Sequence, residues 1–257
     1  MDVLEMTELP GLAGHHSVES ARYEVKYLIN EAQAEQVFAW AEENLALDHH
    51  AAASPESTYR ITSLYLDTDQ RDAYHRRSPY RHSRYRLRRY GTERFVFLER
   101  KSKWGSRVKK RRTLLAEADL CLLESRDCPE KWLGSWFHRR ILPLQLKPAY
   151  QVSYDRAAYV GSSLERPMRL TVDRRISCSR ATGWAFAELG GLPVLSGNAI
   201  MELKYRGFLP PPFKSLIHAL DMTSSSISKY RLAVRAWERI PVTTPSVAGN
   251  PDFGNCN

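Results

Sequence analysis

Alternating apolar and polar positions run through the middle of the chain, and this period of two predicts a protein built mainly from β-strands. Helical patterns, in which apolar positions recur every three or four residues, are inserted between some of the strands. This order favours an antiparallel sheet or barrel over a βαβ fold. A hairpin turn is predicted at Tyr90-Gly91-Thr92. The predicted strands are 22–29, 58–67, 82–90, 94–103, 106–115, 147–154, 167–175 and 198–206, and the helical patterns are at 31–47, around 116–140, at 211–220 and at 228–239.

Most of the predicted strands have one ionic face and one largely apolar face. Successive side chains of a strand point to opposite sides of the sheet, so one face is read at every second position. A sheet with one solvated face would show a similar pattern, but we would expect it to contain more Ser, Thr, Asn and Gln. The ionic faces are Arg22/Glu24/Lys26, Arg84/Arg86/Arg88, Glu99/Lys101/Lys103, Arg107/Lys109/Arg111, Arg169/Thr171/Asp173 and Glu202/Lys204/Arg206.

Closing such a sheet into a barrel would point the ionic faces inward and line a tunnel. Two like charges 4 Å apart repel each other by about 4 kcal/mol at an effective dielectric constant of 20. A lumen crowded with cations therefore requires anions to fill it. A phosphate chain supplies such anions, and arginine binds phosphate oxygens through two parallel hydrogen bonds. The pattern predicts a protein that holds a phosphate chain inside a basic tunnel.

The positive charge of the 257-residue chain is concentrated in one segment. Lys and Arg number 38 against 29 Asp and Glu, which gives a formal net charge of +9 and suggests a polyanionic partner. Residues 81–112 contain 14 of these Lys and Arg residues but only two acids, Glu93 and Glu99. We expect one domain over residues 18–240, with flexible tails at 1–17 and 241–257.

Cysteine spacing and hydropathy exclude several other classes of protein. The four cysteines match neither a zinc site nor a CxxC redox motif, and we expect reduced thiols. The sequence shows no signal-peptide pattern and no apolar stretch of membrane-spanning length. The expected location is therefore the cytoplasm, with no transmembrane segment.

Eight short motifs follow one another in a characteristic order over residues 22–236. They are RYEVKY (22–27), SLYLDT (63–68), RYRLRRYG (84–91), FLERKSK (97–103), RVKKR (107–111), MRLTVDR (168–174), MELKYRG (201–207) and SKY (228–230). Together they resemble the VTC-type polyphosphate polymerase domain, a family of the triphosphate tunnel metalloenzyme (CYTH-like) superfamily. The resemblance implies an α+β fold, an eight-stranded antiparallel β-barrel tunnel with helices packed outside. It also implies growth of polyphosphate from the γ-phosphate of ATP, assisted by Mn²⁺ or Mg²⁺.

The resemblance implies roles for individual residues. The expected catalytic residues are Lys26, Arg86, Arg88, Lys101 and Glu202. Phosphate binding is also expected of Lys109, Arg169 and Lys229, with Ser228 assisting beside Lys229. The ionic faces add Arg22, Lys103, Arg111 and Lys204 as phosphate-binding candidates. Arg156 is a further candidate, with a salt bridge in a turn as its alternative role.

Carboxylates on the ionic faces are the candidate metal ligands. The resemblance makes Glu202 the expected ligand, with Glu24 and Glu99 as helpers. Hard divalent cations take oxygen ligands, and phosphates supply several of them, so one or two carboxylates suffice. Each carboxylate could instead form a salt bridge with the lysine two residues on. Arg22 stands where the hydrolytic branch of the superfamily has the first glutamate of an ExExK strand, which favours the polymerase-like branch.

Other functions share parts of this pattern. A triphosphatase of the same barrel would use the same cations, and a non-catalytic polyanion-binding module would not need Glu202. Nucleic-acid binding by residues 81–112 would use the aromatic residues interleaved there. However, Tyr85 falls on the apolar face, so we expect core packing and no nucleic-acid partner. The Asp67-Thr68-Asp69 motif ends an apolar strand and is expected to be structural, and the pair His49-His50 is expected on the solvated surface.

Overall fold

The computed structural model describes residues 22–104, 107–161, 167–188 and 190–239, so both predicted tails lie outside the described residues. The strands are β1 (Arg22–Asn30), β2 (Ala46–Leu47), β3 (Tyr59–Asp67), β4 (Ser83–Tyr90), β5 (Phe95–Trp104), β6 (Arg107–Ala116), β7 (Lys147–Val160), β8 (Arg169–Arg180), β9 (Leu192–Pro193) and β10 (Asn198–Arg206). The α-helices are α1 (Glu31–Asn44), α2 (His49–Ala52), α3 (Asp72–His75), α4 (Ser135–Ile141), α5 (Pro211–Ala219) and α6 (Lys229–Glu238).

The eight predicted strands are all present, and β7 and β8 run further than predicted. The helix predicted at 31–47 begins after Asn30, whose side chain accepts the N–H of Gln33 at 2.8 Å while Gln33 accepts the N–H of Asn30 at 3.1 Å. It ends at Asn44, because the following residues form β2 beside β7. The pattern around 116–140 divides into a 3-10 helix, Glu117–Leu123, and α4.

The long strands form one antiparallel sheet in the order β1-β10-β8-β7-β3-β4-β5-β6. The predicted hairpin joins β4 to β5, with Gly91 in the left-handed region at φ 53°. The eight-stranded antiparallel prediction is confirmed, but the sheet is not a closed hydrogen-bonded ring: β1 and β6 do not pair within the described residues. The two ends of the sheet nevertheless approach each other, because Lys101 Nζ of β5 lies 3.0 Å from Glu24 Oε2 of β1. The sheet therefore curls so that β1 and β5 face each other across a shared interior.

Two apolar layers cover the outer face of the curled sheet. Helices α1 and α5 pack on the apolar face of β1, β8 and β10, with Val37, Phe213 and Met201 buried between them. The 3-10 helix Glu117–Leu123 and α4 cover β4, β5 and β6, where Phe137 packs against Tyr85. The burial of Tyr85 agrees with the predicted core packing.

Helix α6 differs from the prediction that helices pack outside, because it lies on the inner face. Its buried residues Tyr230, Ala233 and Val234 share an apolar cluster with Ile61, Tyr154, Ile200 and other inner-face residues. Ile200 is two residues from Glu202 on β10, so both project from one face. Part of the inner face is thus covered by an apolar core, and the ionic residues lie beside it.

Asp67 has a structural role at the end of β3, as expected for this motif. Its carboxylate accepts the backbone N–H groups of Thr68, Ala73 and Tyr74 at 2.8–2.9 Å. The hydroxyl of Tyr230 donates to it at 2.5 Å, which ties α6 to the strand.

Across the described parts of the chain, no helix has the length and apolar character needed to cross a membrane.

Candidate functional site

Strand pairing determines which ionic side chains share the inner face, since directly paired residues project from the same side of a sheet. Arg86 pairs with Glu99, which pairs in turn with Arg112. At the other edge, Lys26 pairs with Glu202. The ionic side chains that the register or the contacts place on the inner face include Arg22, Glu24, Lys26, Arg84, Arg86, Arg88, Glu99, Lys101, Lys103, Lys110, Arg112, Arg156, Arg169, Asp173, Glu202, Lys204, Arg206 and Lys229. Cations thus outnumber carboxylates on this face.

Glu99 holds one group of cations. Its carboxylate lies 2.6 Å from Arg86 Nη2, 2.6 Å from Lys110 Nζ and 3.8 Å from Arg112 Nε. Burial alone would raise the pKa of Glu99, but the charges of Arg86, Arg88 and Lys110 outweigh it and hold this pKa far below its usual range. Glu99 is therefore ionised. It orients these cations without neutralising all of them.

Glu24 and Glu202 converge on Lys26. The Nζ atom of Lys26 lies 3.1 Å from Glu24 and 3.5 Å from Glu202, and Lys204 lies 2.7 Å from Glu202. Although burial opposes ionisation, Lys26 and Lys101 lower the pKa of Glu24 to about 2. The alternative salt bridges to the lysine two residues on are thus present for Glu24 and Glu202. Glu99 instead binds Lys110 across the β5–β6 pair.

Asp173 forms the third ionic group and is fully buried. Arg156 binds both of its oxygens, at 2.6 Å and 2.8 Å, and Lys229 Nζ of α6 lies 2.5 Å away. Arg156 therefore makes a salt bridge across the β7–β8 pair rather than within a turn. Lys229 also lies over the ring of Tyr154, 4.6 Å from its centroid.

Arg88 is a buried cation held by neutral groups. Its Nε donates to Ser63 Oγ at 3.1 Å and its Nη2 to Tyr154 Oη at 3.1 Å. Within the described residues it forms no ion pair with a carboxylate. Burial would raise the pKa of the nearby Tyr65 phenol, but Arg86, Arg88 and Lys229 lower it overall. The charges of these three cations thus outweigh the effect of burial at Tyr65.

The prediction of which β6 residues point to the inner face was wrong by one position. Lys109 and Arg111 pair with Ser102 and Arg100 on the outer face, and the Arg111 guanidinium lies 4.1 Å from the Trp136 ring centroid. Lys110 and Arg112, which the sequence analysis missed, take the inner positions. Residues 109–112 are all cations, so the charge pattern could not distinguish the two faces.

The remaining candidates lie at the margins of this cluster. Arg22 is exposed at the start of β1 opposite Arg206, and Lys103 is exposed near the end of β5. Arg169 binds Asp48 at 2.7 Å. Ser228 is the N-cap of α6, where its hydroxyl accepts the N–H of Arg231 at 3.5 Å. The helix start thereby positions Lys229.

A cavity of about 340 Å³ adjoins the cation cluster where β3 begins and β4 ends. Its lining includes His50, Tyr59 and Tyr90, none of which was predicted to bind phosphate or metal, together with Arg112 and Arg156. His50 is exposed, as predicted for the pair His49-His50, but it stacks on Tyr90. Only the contact between α2 and the strands brings these residues together.

The carboxylates fit a divalent cation only as a pair. Among the described residues, no group of three or more His, Cys, Asp or Glu side chains is arranged to hold a metal. Glu24 and Glu202, however, approach the same point near Lys26. Two carboxylates suit a cation that takes its other oxygen ligands from phosphates and water. Glu99 fits less well, because three cations bind it, against two for each of Glu24 and Glu202.

Comparison with known proteins defines the family. The VTC domain family matches residues 21–238, and the chain belongs to this family. Among solved structures, a proposed adenylate cyclase from Bacillus halodurans aligns with TM-score 0.48 and 14% identity over 81% of this chain and 94% of that chain. A proposed adenylyl cyclase from Hippeastrum, described as having a dominant triphosphatase activity, aligns with TM-score 0.44 and 13% identity over 85% and 97%. No curated protein matches the sequence.

Proposed function

We propose that this protein is a polyphosphate polymerase that transfers the γ-phosphate of ATP to a growing phosphate chain on the inner face of the sheet. The observation that carries the proposal is the group Arg86, Arg88, Lys110 and Arg112 on the inner face of the sheet, to which Glu99 is the only carboxylate bound among the described residues. An anion bound between these cations relieves their mutual repulsion. Membership of the VTC domain family supports a phosphate-related activity.

The inner-face cations would position and neutralise the phosphates, which is most of what phosphoryl transfer requires of a protein. Arg86, Arg88 and Lys101 grip the β- and γ-phosphates, and Lys26 neutralises the transferred group. A terminal oxygen of the phosphate chain attacks the γ-phosphorus, the bond from this phosphorus to the β–γ bridging oxygen breaks, and ADP leaves. Lys229, held by Asp173, binds further phosphates along the face.

The same site would bind a divalent cation through Glu202 and Glu24. Mn²⁺ or Mg²⁺, when bound, neutralises charge on the phosphate oxygens. Enzymes of the triphosphate tunnel superfamily are generally metal-dependent, and the two converging carboxylates support such a site here. Glu99 serves instead to orient Arg86 and Lys110.

The cytoplasmic location expected from the sequence stays a prediction.

Incubation with ATP and Mn²⁺ tests the proposed reaction. We expect long anionic chains that stain on a gel and give internal-phosphate signals by phosphorus NMR, with one ADP released per added phosphate. Glu202→Gln is expected to abolish this synthesis while inorganic triphosphate still binds, because the cations remain.

Release of orthophosphate from ATP or triphosphate without chain growth would contradict the polymerase proposal and support a triphosphatase. Tight binding of polyphosphate with neither product would support a non-catalytic binding module. The Glu202→Gln protein separates these cases, since a pure binding module has no activity to lose.

A further inference from the structure

The cavity beside the ionic cluster has an aromatic wall. The rings of His50 and Tyr90 are stacked, with centroids 5.5 Å apart and planes 11° apart. Tyr59 completes the group, 5.4 Å from His50 and 6.0 Å from Tyr90. His49 also lies against His50, with ring centroids 3.7 Å apart, but both histidines are exposed, so the outer part of this aromatic surface is available to a flat ligand. Aromatic side chains of this kind stack on nucleobases without regard to base identity.

The wall is fixed in place by the N-cap of α2. Asp48 accepts the N–H of Ala51 at 2.9 Å and the hydroxyl of Tyr59 at 3.4 Å, and it pairs with Arg169 at 2.7 Å. Burial raises the pKa of Tyr59 to about 12, so this phenol stays neutral. Asp48 is therefore occupied by groups of the protein itself and has little capacity left to read the edge of a base.

The cavity is continuous with the phosphate-binding face, because two side chains belong to both. Arg112 lines the cavity and lies 3.8 Å from Glu99, and its guanidinium covers the Phe97 ring. Arg156 lines the cavity and binds Asp173. A ligand with a flat ring at one end and an anionic chain at the other would thus find a stacking surface beside cations.

We propose that this cavity is a nucleobase subsite, in which the base of a nucleoside triphosphate stacks on the exposed side of the aromatic wall of His50, Tyr59 and Tyr90, while its phosphates pass Arg112 and Arg156 onto the inner face. This inference rests on the proposed function, which makes a nucleoside triphosphate the donor. Nucleotides are selected here by the ring area of the base, because Asp48 is already bound by protein groups and does not read the edge of the base. Purine nucleotides are therefore preferred over pyrimidine nucleotides, with little discrimination between adenine and guanine.

Calorimetric titration with ATP and with methyl triphosphate, which has the same anionic chain but no base, tests the subsite. Stacking of one base corresponds to about a 10-fold or greater gain in affinity, so we expect ATP to bind the wild-type protein at least 10-fold more tightly. His50→Ala should remove most of this difference and leave the affinity for methyl triphosphate unchanged. His50→Phe, which keeps an aromatic ring, should preserve the difference.

Equal affinities of the wild-type protein for ATP and methyl triphosphate would overturn the subsite. So would an equal loss of affinity for both ligands in His50→Ala, which would make His50 a phosphate contact. Failure of the proposed function gives a different result, since methyl triphosphate would then not bind at all, or ATP would bind without any chain growth.

Discussion

Replacing Arg88 with alanine is expected to reduce phosphate-chain synthesis from ATP by about 10²- to 10³-fold, the range found when one preorganised hydrogen-bond donor is removed from a site of charge development. Arg88 is buried, and the hydroxyls of Ser63 and Tyr154 hold its guanidinium on the inner face. No carboxylate among the described residues forms a salt bridge with it, although Glu99 lies close enough to interact with its charge. Its charge is therefore available to phosphate, and the affinity for inorganic triphosphate should fall together with the rate.

Arg89 provides the matched control one residue further along β4. It points to the outer face, where it binds Glu117 at 3.1 Å and covers the ring of Phe186. Arg89→Ala should therefore keep synthesis and triphosphate affinity close to wild type, even where it lowers the melting temperature. Unchanged synthesis in Arg88→Ala, or a larger loss in Arg89→Ala, would contradict the assignment of the faces.

Asp173→Asn is expected to lower the free energy of unfolding by about 3–5 kcal/mol, because breaking a buried ion pair leaves an uncompensated charge. Asp173 is fully buried and binds Arg156 and Lys229. Burial opposes its ionisation, but these two cations hold its pKa far below the usual range. In the variant, both cations lose their carboxylate. Urea unfolding followed by tryptophan fluorescence measures the loss.

Inorganic triphosphate should restore part of the stability of Asp173→Asn, since its anionic oxygens can replace the missing charge. We expect a larger rise in melting temperature for the variant than for the wild-type protein at saturating triphosphate. Asp155→Asn is the control, because Asp155 binds Arg60 and Arg175 on the outer side of the sheet. The account would be contradicted if Asp173→Asn had the same free energy of unfolding as the wild-type protein. It would also be contradicted if triphosphate raised the melting temperatures of Asp173→Asn and Asp155→Asn equally.

The strands and most of the inner face could be predicted from the sequence because ionic and apolar residues alternate along most of each strand. In β1 and β10, the ionic residues lie at even-numbered positions, and the odd-numbered positions are aromatic or aliphatic. The pairing of Lys26 with Glu202 joins two of these ionic positions. In β6, four consecutive cations leave no alternation from which the inner face could be predicted. The outward position of Arg111 depends on Trp136 of α4, a contact between segments that no local pattern reveals.

Features that depend on distant contacts were the ones missed. The apolar stripe of α6 indicates that one side of the helix is buried but not which face of the sheet it meets, and the structure places it inside. The aromatic wall of the cavity joins His50 of α2 to Tyr90 of β4. The pair Lys101–Glu24 similarly depends on the curl of the whole sheet.

A crystal structure of the protein with inorganic triphosphate would test the central claim most directly, namely that a phosphate chain binds on the inner face. We expect phosphate oxygens within hydrogen-bonding distance of Arg86, Arg88 and Lys110, in the space bridged by Lys101 and Glu24. Triphosphate bound only at Lys109 and Arg111, with the inner face unchanged, would contradict the account.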